Sequence, residues 1–226
     1  MKFIKLILFT IILCVTGCDD SKQTEPETSI CGDLSSLPTE FDITDVGIQV
    51  LIAPEPKIYP KWVVGDLYNE NTEVIYNDVI FSIDSITQII ASKKEKNKKN
   101  FFSFISSAYA CSPIPPSTNE KIVDIKITSS GAFNSTLTTG DPLTSKFNVV
   151  YADSETDFYG YKDGVIAYYT LNQYLEQDDV YAGNTIQLKL TEAPEFSGTL
   201  AFFIELTLDT GEVFTLETPE VSFTKL

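Results

Sequence analysis

Through most of the second half of this chain apolar residues fall on every second position. That repeat is the spacing of a strand with one buried face and not of a helix. Val123, Ile125 and Ile127 interleave with Asp124 and Lys126; Phe147, Val149 and Tyr151 with Asn148 and Val150; Ile186, Leu188 and Leu190 with Gln187 and Lys189. The longest run is Leu200, Phe202, Ile204, Leu206 and Leu208. After it, residues 209–212 supply a polar turn with Gly211 placed for positive φ, and Phe214 and Leu216 resume the pattern as the second arm of a hairpin. Pro219, ahead of Val221 and Phe223, predicts an edge or a kink. The first half carries the same signal in Val46, Ile48, Val50 and Ile52, and again in Val79, Phe81 and Ile83, with 72–76 leading in. Residues 86–90 are apolar but too few to type. One short helix is predicted near 171–177, opened by the capping box that Thr170 and Gln173 form. About seven or eight short strands without a long helical period predict an all-β fold, an antiparallel β-sandwich. It is expected to be a single domain over residues 31–226, with an irregular lysine-rich loop at 92–100. Strand order decides whether it is immunoglobulin-like, and alternation does not supply strand order.

The N-terminus is of another kind. Residues 1–5 carry two lysines and residues 6–16 are apolar apart from Thr10 and Thr16, the order of charge then grease found in export signals. The run is too short to span a bilayer. It closes on Val15-Thr16-Gly17-Cys18, which resembles the lipobox of bacterial lipoproteins. That resemblance implies that residues 1–17 are a signal peptide, that Cys18 becomes a lipidated first residue, and that palmitate-type acyl chains hold the protein to a membrane. Residues 18–30 then form a flexible tether, since they offer nothing to bury and reach roughly 20 Å as a coil.

Charge and missing residue types exclude several functions. Without the signal peptide the chain keeps 14 lysines against 32 acids, a net charge of −18, and it has no arginine. Nucleic acid is excluded as a partner, because phosphate recognition needs basic faces and favours arginine forks. Anionic lipid headgroups are repelled by the same Coulomb force, so membrane attachment must come from acyl chains, at about 0.8 kcal/mol per buried CH₂. The chain has no histidine, which closes Ser-His-Asp and Cys-His catalysis, HExxH zinc hydrolysis and imidazole metal sites. Of four cysteines, Cys14 leaves with the signal and Cys18 takes the lipid. Cys31 and Cys111 remain, and in an exported domain they read most simply as a disulfide. Closing a loop of about 80 residues would remove roughly 4–5 kcal/mol of denatured-chain entropy. Two separate buried thiols are the alternative.

Three places offer candidate chemistry. Asp153, Glu155 and Asp157 space three carboxylates at alternate positions, as a calcium loop could. The EF-hand pattern fails there, because its sixth position is Phe158 and its twelfth Gly164, so a polar inter-strand loop is the simpler reading. Asp178, Asp179 and Asn184 form a weaker set of the same kind. Eight aromatics fall within 151–181, seven of them tyrosine, and Tyr159 and Tyr161 are the candidates for a platform that takes a glycan or a protein. The sandwich core is expected to bury most of the eight. Trp62, near Tyr59 and Tyr68, is a smaller candidate of the same sort. A histidine-free glycosidase would need two carboxyls at fixed separation, and 32 acids make such a pair easy to propose without geometry.

An internal segment, 101–110, imitates a second export signal, with lysines before it and Ala108-Tyr109-Ala110-Cys111 at its end. Its internal position favours a buried element docked on the core. This segment, together with Glu120-Lys121-Ile122-Val123-Asp124-Ile125, Phe133-Asn134, Thr170-Leu171-Asn172-Gln173-Tyr174-Leu175 and 215–223, resembles a group of Bacteroidota lipoproteins of unknown function, over roughly residues 101–223. The resemblance implies a lipobox, an extracytoplasmic β-rich domain and no catalytic residues to carry over. Asp19 and Asp20 resemble a surface-export signal in that group and an inner-membrane retention signal in enterobacterial lipoproteins. An outer-membrane or cell-surface address is therefore favoured over the inner membrane. The expected function is a lipid-anchored, non-enzymatic binding or scaffolding module of the cell envelope, with an envelope protein or a glycan as partner. A carboxylate glycoside hydrolase and a calcium-stabilised structural module are the alternatives.

Overall fold

The computed structural model describes residues 40–53, 62–89, 118–154, 156–196 and 198–224. Along the chain the strands are β1 (Phe41–Ile52), β2 (Asp66–Leu67), β3 (Glu73–Val74), β4 (Val79–Ile89), β5 (Ile122–Ser129), β6 (Phe147–Ala152), β7 (Tyr159–Lys162) and β8 (Val165–Tyr168). After the helix α1 (Leu171–Leu175) come β9 (Thr185–Leu190), β10 (Gly198–Leu200), β11 (Phe202–Leu208), β12 (Val213–Glu217) and β13 (Val221–Phe223). Residues 86–89 are thus the end of β4, and β1 begins five residues before the alternation that announced it.

A five-stranded sheet has the order β2-β1-β4-β9-β6, and a three-stranded sheet the order β12-β11-β5. Neighbours in both are antiparallel. Setting aside the two-residue β2 and reading the seven long strands in sequence as A to G gives A-B-E-D on one sheet and G-F-C on the other. This is the order of the immunoglobulin constant-type sandwich, and it supplies what alternation could not. Across the two sheets Phe81 of β4 and Phe147 of β6 meet Phe202 of β11 edge-on, with ring centroids 5.0 and 5.8 Å apart. Ile83, Val149, Leu188, Ile125, Ile127 and Ile204 fill the rest of this inter-sheet core. Edge-to-face contact sets the positive rim of one ring against the negative face of the next, worth about 0.5–1.5 kcal/mol per pair beyond area burial.

Bulges in β5 and β6 change which residues face the core. In β5 the pairing with β11 shifts between Thr207 and Leu208. Ile122 therefore points inward and Val123 outward, although alternation places Val123 inside. In β6 the pairing with β9 shifts between Val149 and Tyr151. Val149 keeps to the inter-sheet core, Val150 is buried against a separate cluster, and Tyr151 is only half-buried. An extra residue in one strand reverses every later side chain relative to a strict repeat of two. The run 200–208 is likewise two strands. At Ala201 the chain pairs with Ser130, and β10 departs for a third sheet of order β10-β13-β3, in which β13 runs antiparallel to β10 and parallel to β3. Pro219 lies in the connection from β12 of the second sheet to β13 of the third.

Helix α1 opens as its sequence predicts, with the Thr170 side chain accepting from the Gln173 N–H at 3.3 Å and the Gln173 side chain accepting from the Thr170 N–H at 3.0 Å. It ends at Leu175, two residues short of the predicted range.

Candidate functional site: an aromatic face on the five-stranded sheet

The outer face of the five-stranded sheet carries a second, smaller apolar cluster of Leu51, Ala53, Ile80 and Val150. Two chain segments pack on it, contributing Val63 and Tyr168. The first is the connection leaving Trp62. Val63 donates its N–H to Gln187 Oε1 at 2.8 Å, and its carbonyl accepts from Gln187 Nε2 at 3.0 Å, so one side-chain amide satisfies both backbone groups of a single residue. Gln187 itself is fully buried. Two residues on, a Cβ at Gly65 would stand 2.5 Å from the Ile52 carbonyl oxygen, so the chain passes β1 at a distance only glycine permits. Asp66 and Leu67 then pair with Ile52 and Leu51. With Val63 turned in, Trp62 is 58% and Val64 82% exposed, and Leu67 is exposed beside them.

The second segment is the hairpin β7–β8. Its turn, Asp163-Gly164, has φ of 53° and 79°, the doubly positive geometry that joins two twisted strands through two residues. Tyr159 lies opposite Tyr168, and Tyr161 opposite Ile166. The hairpin is fastened to β6 by the Val149 N–H donated to the Tyr169 carbonyl at 3.0 Å. Along it runs a file of edge-on rings, Tyr151 to Phe158 at 6.0 Å, Phe158 to Tyr159 at 5.2 Å and Tyr159 to Tyr161 at 6.0 Å. It ends in Tyr161, 72% exposed, with Val165 also exposed at the tip. Trp62 and the Tyr159–Tyr161 pair, separate candidates in sequence, thus hang from two segments that rest on one four-residue cluster.

The expectation that the core buries most of the eight aromatics in 151–181 is not met. Tyr174 is buried, Tyr161 is exposed, and Tyr151, Phe158, Tyr159, Tyr168, Tyr169 and Tyr181 are half-buried. The reason is that all but Tyr151 lie on the connection between β6 and β9, which enters the core through Leu171, Tyr174 and Val180 while the hairpin β7–β8 stays at the surface, a placement that the Asp163-Gly164 dipeptide, a hairpin signal in its own right, could have announced. Burial pushes the Tyr174 hydroxyl proton affinity up, against the hydrogen bonds of Ser154 and Thr156 that lower it. Burial, then the nearby Asp153, also raises that of Tyr151.

Of the proposed carboxylate set, Asp153 Oδ2 accepts from Asn184 Nδ2 at 2.9 Å, and Asp157 offers its backbone carbonyl to Gln177 Nε2 at 2.7 Å. Glu155 lies outside the described residues. In the weaker set Asp179 is ion-paired with Lys121. Among the described residues no three acidic or cysteine side chains are grouped to hold a metal ion. A cleft of about 180 Å³ is bordered by Glu40, Asp42, Glu120 and Asp209. Two of those four carboxylates hold backbone: Glu120 Oε2 accepts from the Ile43 N–H at 2.8 Å and Asp209 Oδ1 from the Lys121 N–H at 2.9 Å. Between the sheets a void of about 10 Å³ has room for a single water.

Cys18, Cys31 and Cys111, and with them the lipidation and disulfide expectations, lie outside the described residues, as do the signal peptide, the tether and the lysine-rich loop. Among the described residues no helix is long and apolar enough to cross a membrane. The chain matches no protein-family model, no curated protein and no solved structure.

Proposed function

We propose that this chain is a lipid-anchored, extracytoplasmic binding module of the cell envelope, held through Cys18, whose sandwich presents an aromatic and aliphatic surface to a protein partner. The observation that carries this reading is the joint exposure of Trp62, Val64, Leu67, Tyr161 and Val165 on the two segments laid over one sheet face. Each of the two segments leaves two or more large apolar side chains in water within a few residues of one another, a grouping that marks interaction sites on soluble domains, and tryptophan and tyrosine are the residue types that most often carry binding energy. A protein is favoured over a glycan because Val64, Leu67 and Val165 have no flat ring to stack on a sugar. The absence of histidine and the backbone duties of Glu120 and Asp209 speak for binding over hydrolysis.

A photo-crosslinking residue placed at 62 or at 161 in intact membranes tests the reading, with Thr215 on the opposite sheet as control. A discrete adduct from both test positions and none from 215 is expected. Equal labelling at all three positions, or none, would remove the binding role. Labelling with palmitate, wild type beside Cys18→Ala, tests the anchor independently, and label retained in the variant would remove it.

A further inference from the structure

We propose that Gln187 is the positioning residue of this surface, a buried latch that fixes the strap 62–65 so that Trp62 and Val64 are presented outward before any partner arrives. The inference rests on the binding reading for its purpose, but its geometry stands alone. Gln187 sits in β9, the fourth strand across the five-stranded sheet, on the face opposite the inter-sheet core. Its register partners are Ser82 of β4 and Tyr151 of β6, the apolar cluster of Leu51, Ala53, Ile80 and Val150 shares that face, and a fully buried primary amide there carries a desolvation cost unless both ends are bonded. Both ends are bonded, and to the same residue. The oxygen takes the Val63 N–H, and the nitrogen reaches the Val63 carbonyl and, at 3.4 Å, Ser82 Oγ. An amide used in this way imitates the edge of a strand and accepts an extended backbone across the sheet. It fixes the alternation of the strap: Val63 must enter the cluster, and Trp62 and Val64 must leave it. Gly65 against the Ile52 carbonyl, and Tyr68 N–H donating to the Val50 carbonyl at 2.9 Å, hold the other end. With both ends held, a partner need not pay the entropy of ordering this segment.

Trp62 is the only tryptophan in the chain, so its fluorescence, excited beyond the tyrosine band, reads the strap alone. In Gln187→Leu, similar in size but without hydrogen-bonding atoms, we expect the steady-state anisotropy of Trp62 to fall and its quenching by acrylamide to rise, at temperatures where circular dichroism still reports a folded sheet. Ser129→Ala, which removes a buried hydroxyl from β5 on the other sheet, is expected to leave both unchanged. Unaltered anisotropy in folded Gln187→Leu would overturn the proposal, and so would an equal fall in Ser129→Ala. Should Gln187→Leu not fold, hydrogen exchange in the wild type decides. The Val63 amide should exchange at least about tenfold more slowly than the exposed Val64 amide, and equal rates would overturn the latch. None of these readouts involves a partner, so the latch and the binding reading fail separately.

Discussion

Gly183 lies against the backbone of Asp153 so closely that a Cβ there would overlap the Asp153 carbonyl oxygen. The contact belongs to a seam at one end of the five-stranded sheet. The Asp153 N–H donates to the Thr185 carbonyl at 2.8 Å, and Ser85 Oγ donates to the Gly183 carbonyl at 3.0 Å, so the end of β6 and the start of β9 meet β4 there. Gly183→Ala is therefore expected to lower stability by about 1–3 kcal/mol or more, since backbone and not a flexible side chain must yield. Gly164→Ala gives the contrast. Open space surrounds that position, but its φ of 79° is left-handed, and about 1–2 kcal/mol of local strain is expected. Chemical denaturation of both variants checks the order, and Gly183→Ala matching wild type would contradict the seam.

Phe202 is the side chain that joins three sheets. Its ring meets Phe81 and Phe147 of the five-stranded sheet and, at 6.3 Å, Phe223 of the third. Phe202→Ala should cost about 3–5 kcal/mol, whereas Phe203→Ala, one residue along and facing solvent, should stay within about 0.5 kcal/mol of wild type. Thermal unfolding followed by circular dichroism separates the two, and similar losses would mean that the register of β11 is wrong.

Fold class was legible because alternation is a direct image of burial. Phe202, Ile204, Leu206 and Leu208 are all buried, with Phe203 and Glu205 turned out. The turn at Gly211 and the cap at Thr170 were legible too, since each needs only neighbouring residues. Val123 and Tyr151 were misplaced because a bulge depends on the partner strand, and a single strand's pattern carries no trace of it. The candidate surface was half legible. Trp62, Tyr159 and Tyr161 stand out by residue type, but that Val63 and Tyr168 share one cluster follows from pairings between strands distant in sequence. Gln187 was invisible for the same reason, since in sequence it reads as the polar, solvent-facing partner of Ile186 and Leu188.

Tyr174 gives the protein an alkaline limit. Burial raises its proton affinity above the ordinary tyrosine value, with the Ser154 and Thr156 hydrogen bonds opposing. The unfolded chain therefore loses this proton first. The stability that the buried neutral ring contributes is fully present below about pH 10, the unfolded value, and is lost as pH rises through the folded one. Denaturation midpoints should fall as pH rises above about 10, and in Tyr174→Phe the fall should be shallower. An identical pH profile in the variant would assign the alkaline transition to another group.

The last strand is held by a side chain from far earlier in the chain. Tyr68 Oη accepts the Ser222 N–H at 2.9 Å, and Thr224 N–H donates to the Val74 carbonyl at 2.9 Å, so β13 is clasped by the connection between β1 and β4. Val221 and Phe223 enter the core from this strand. Tyr68→Phe keeps the ring and removes only the acceptor, for which about 0.5–1.5 kcal/mol is expected. Phe223→Ala also opens a cavity against Phe202, for which about 3–5 kcal/mol is expected. If β13 is an integral part of the sandwich, both variants should unfold in one transition shifted to lower denaturant, with no separate early phase. A biphasic curve in Phe223→Ala, with the sheet signal preserved through the first step, would instead make β13 a peripheral strap whose release leaves the seven-stranded sandwich standing.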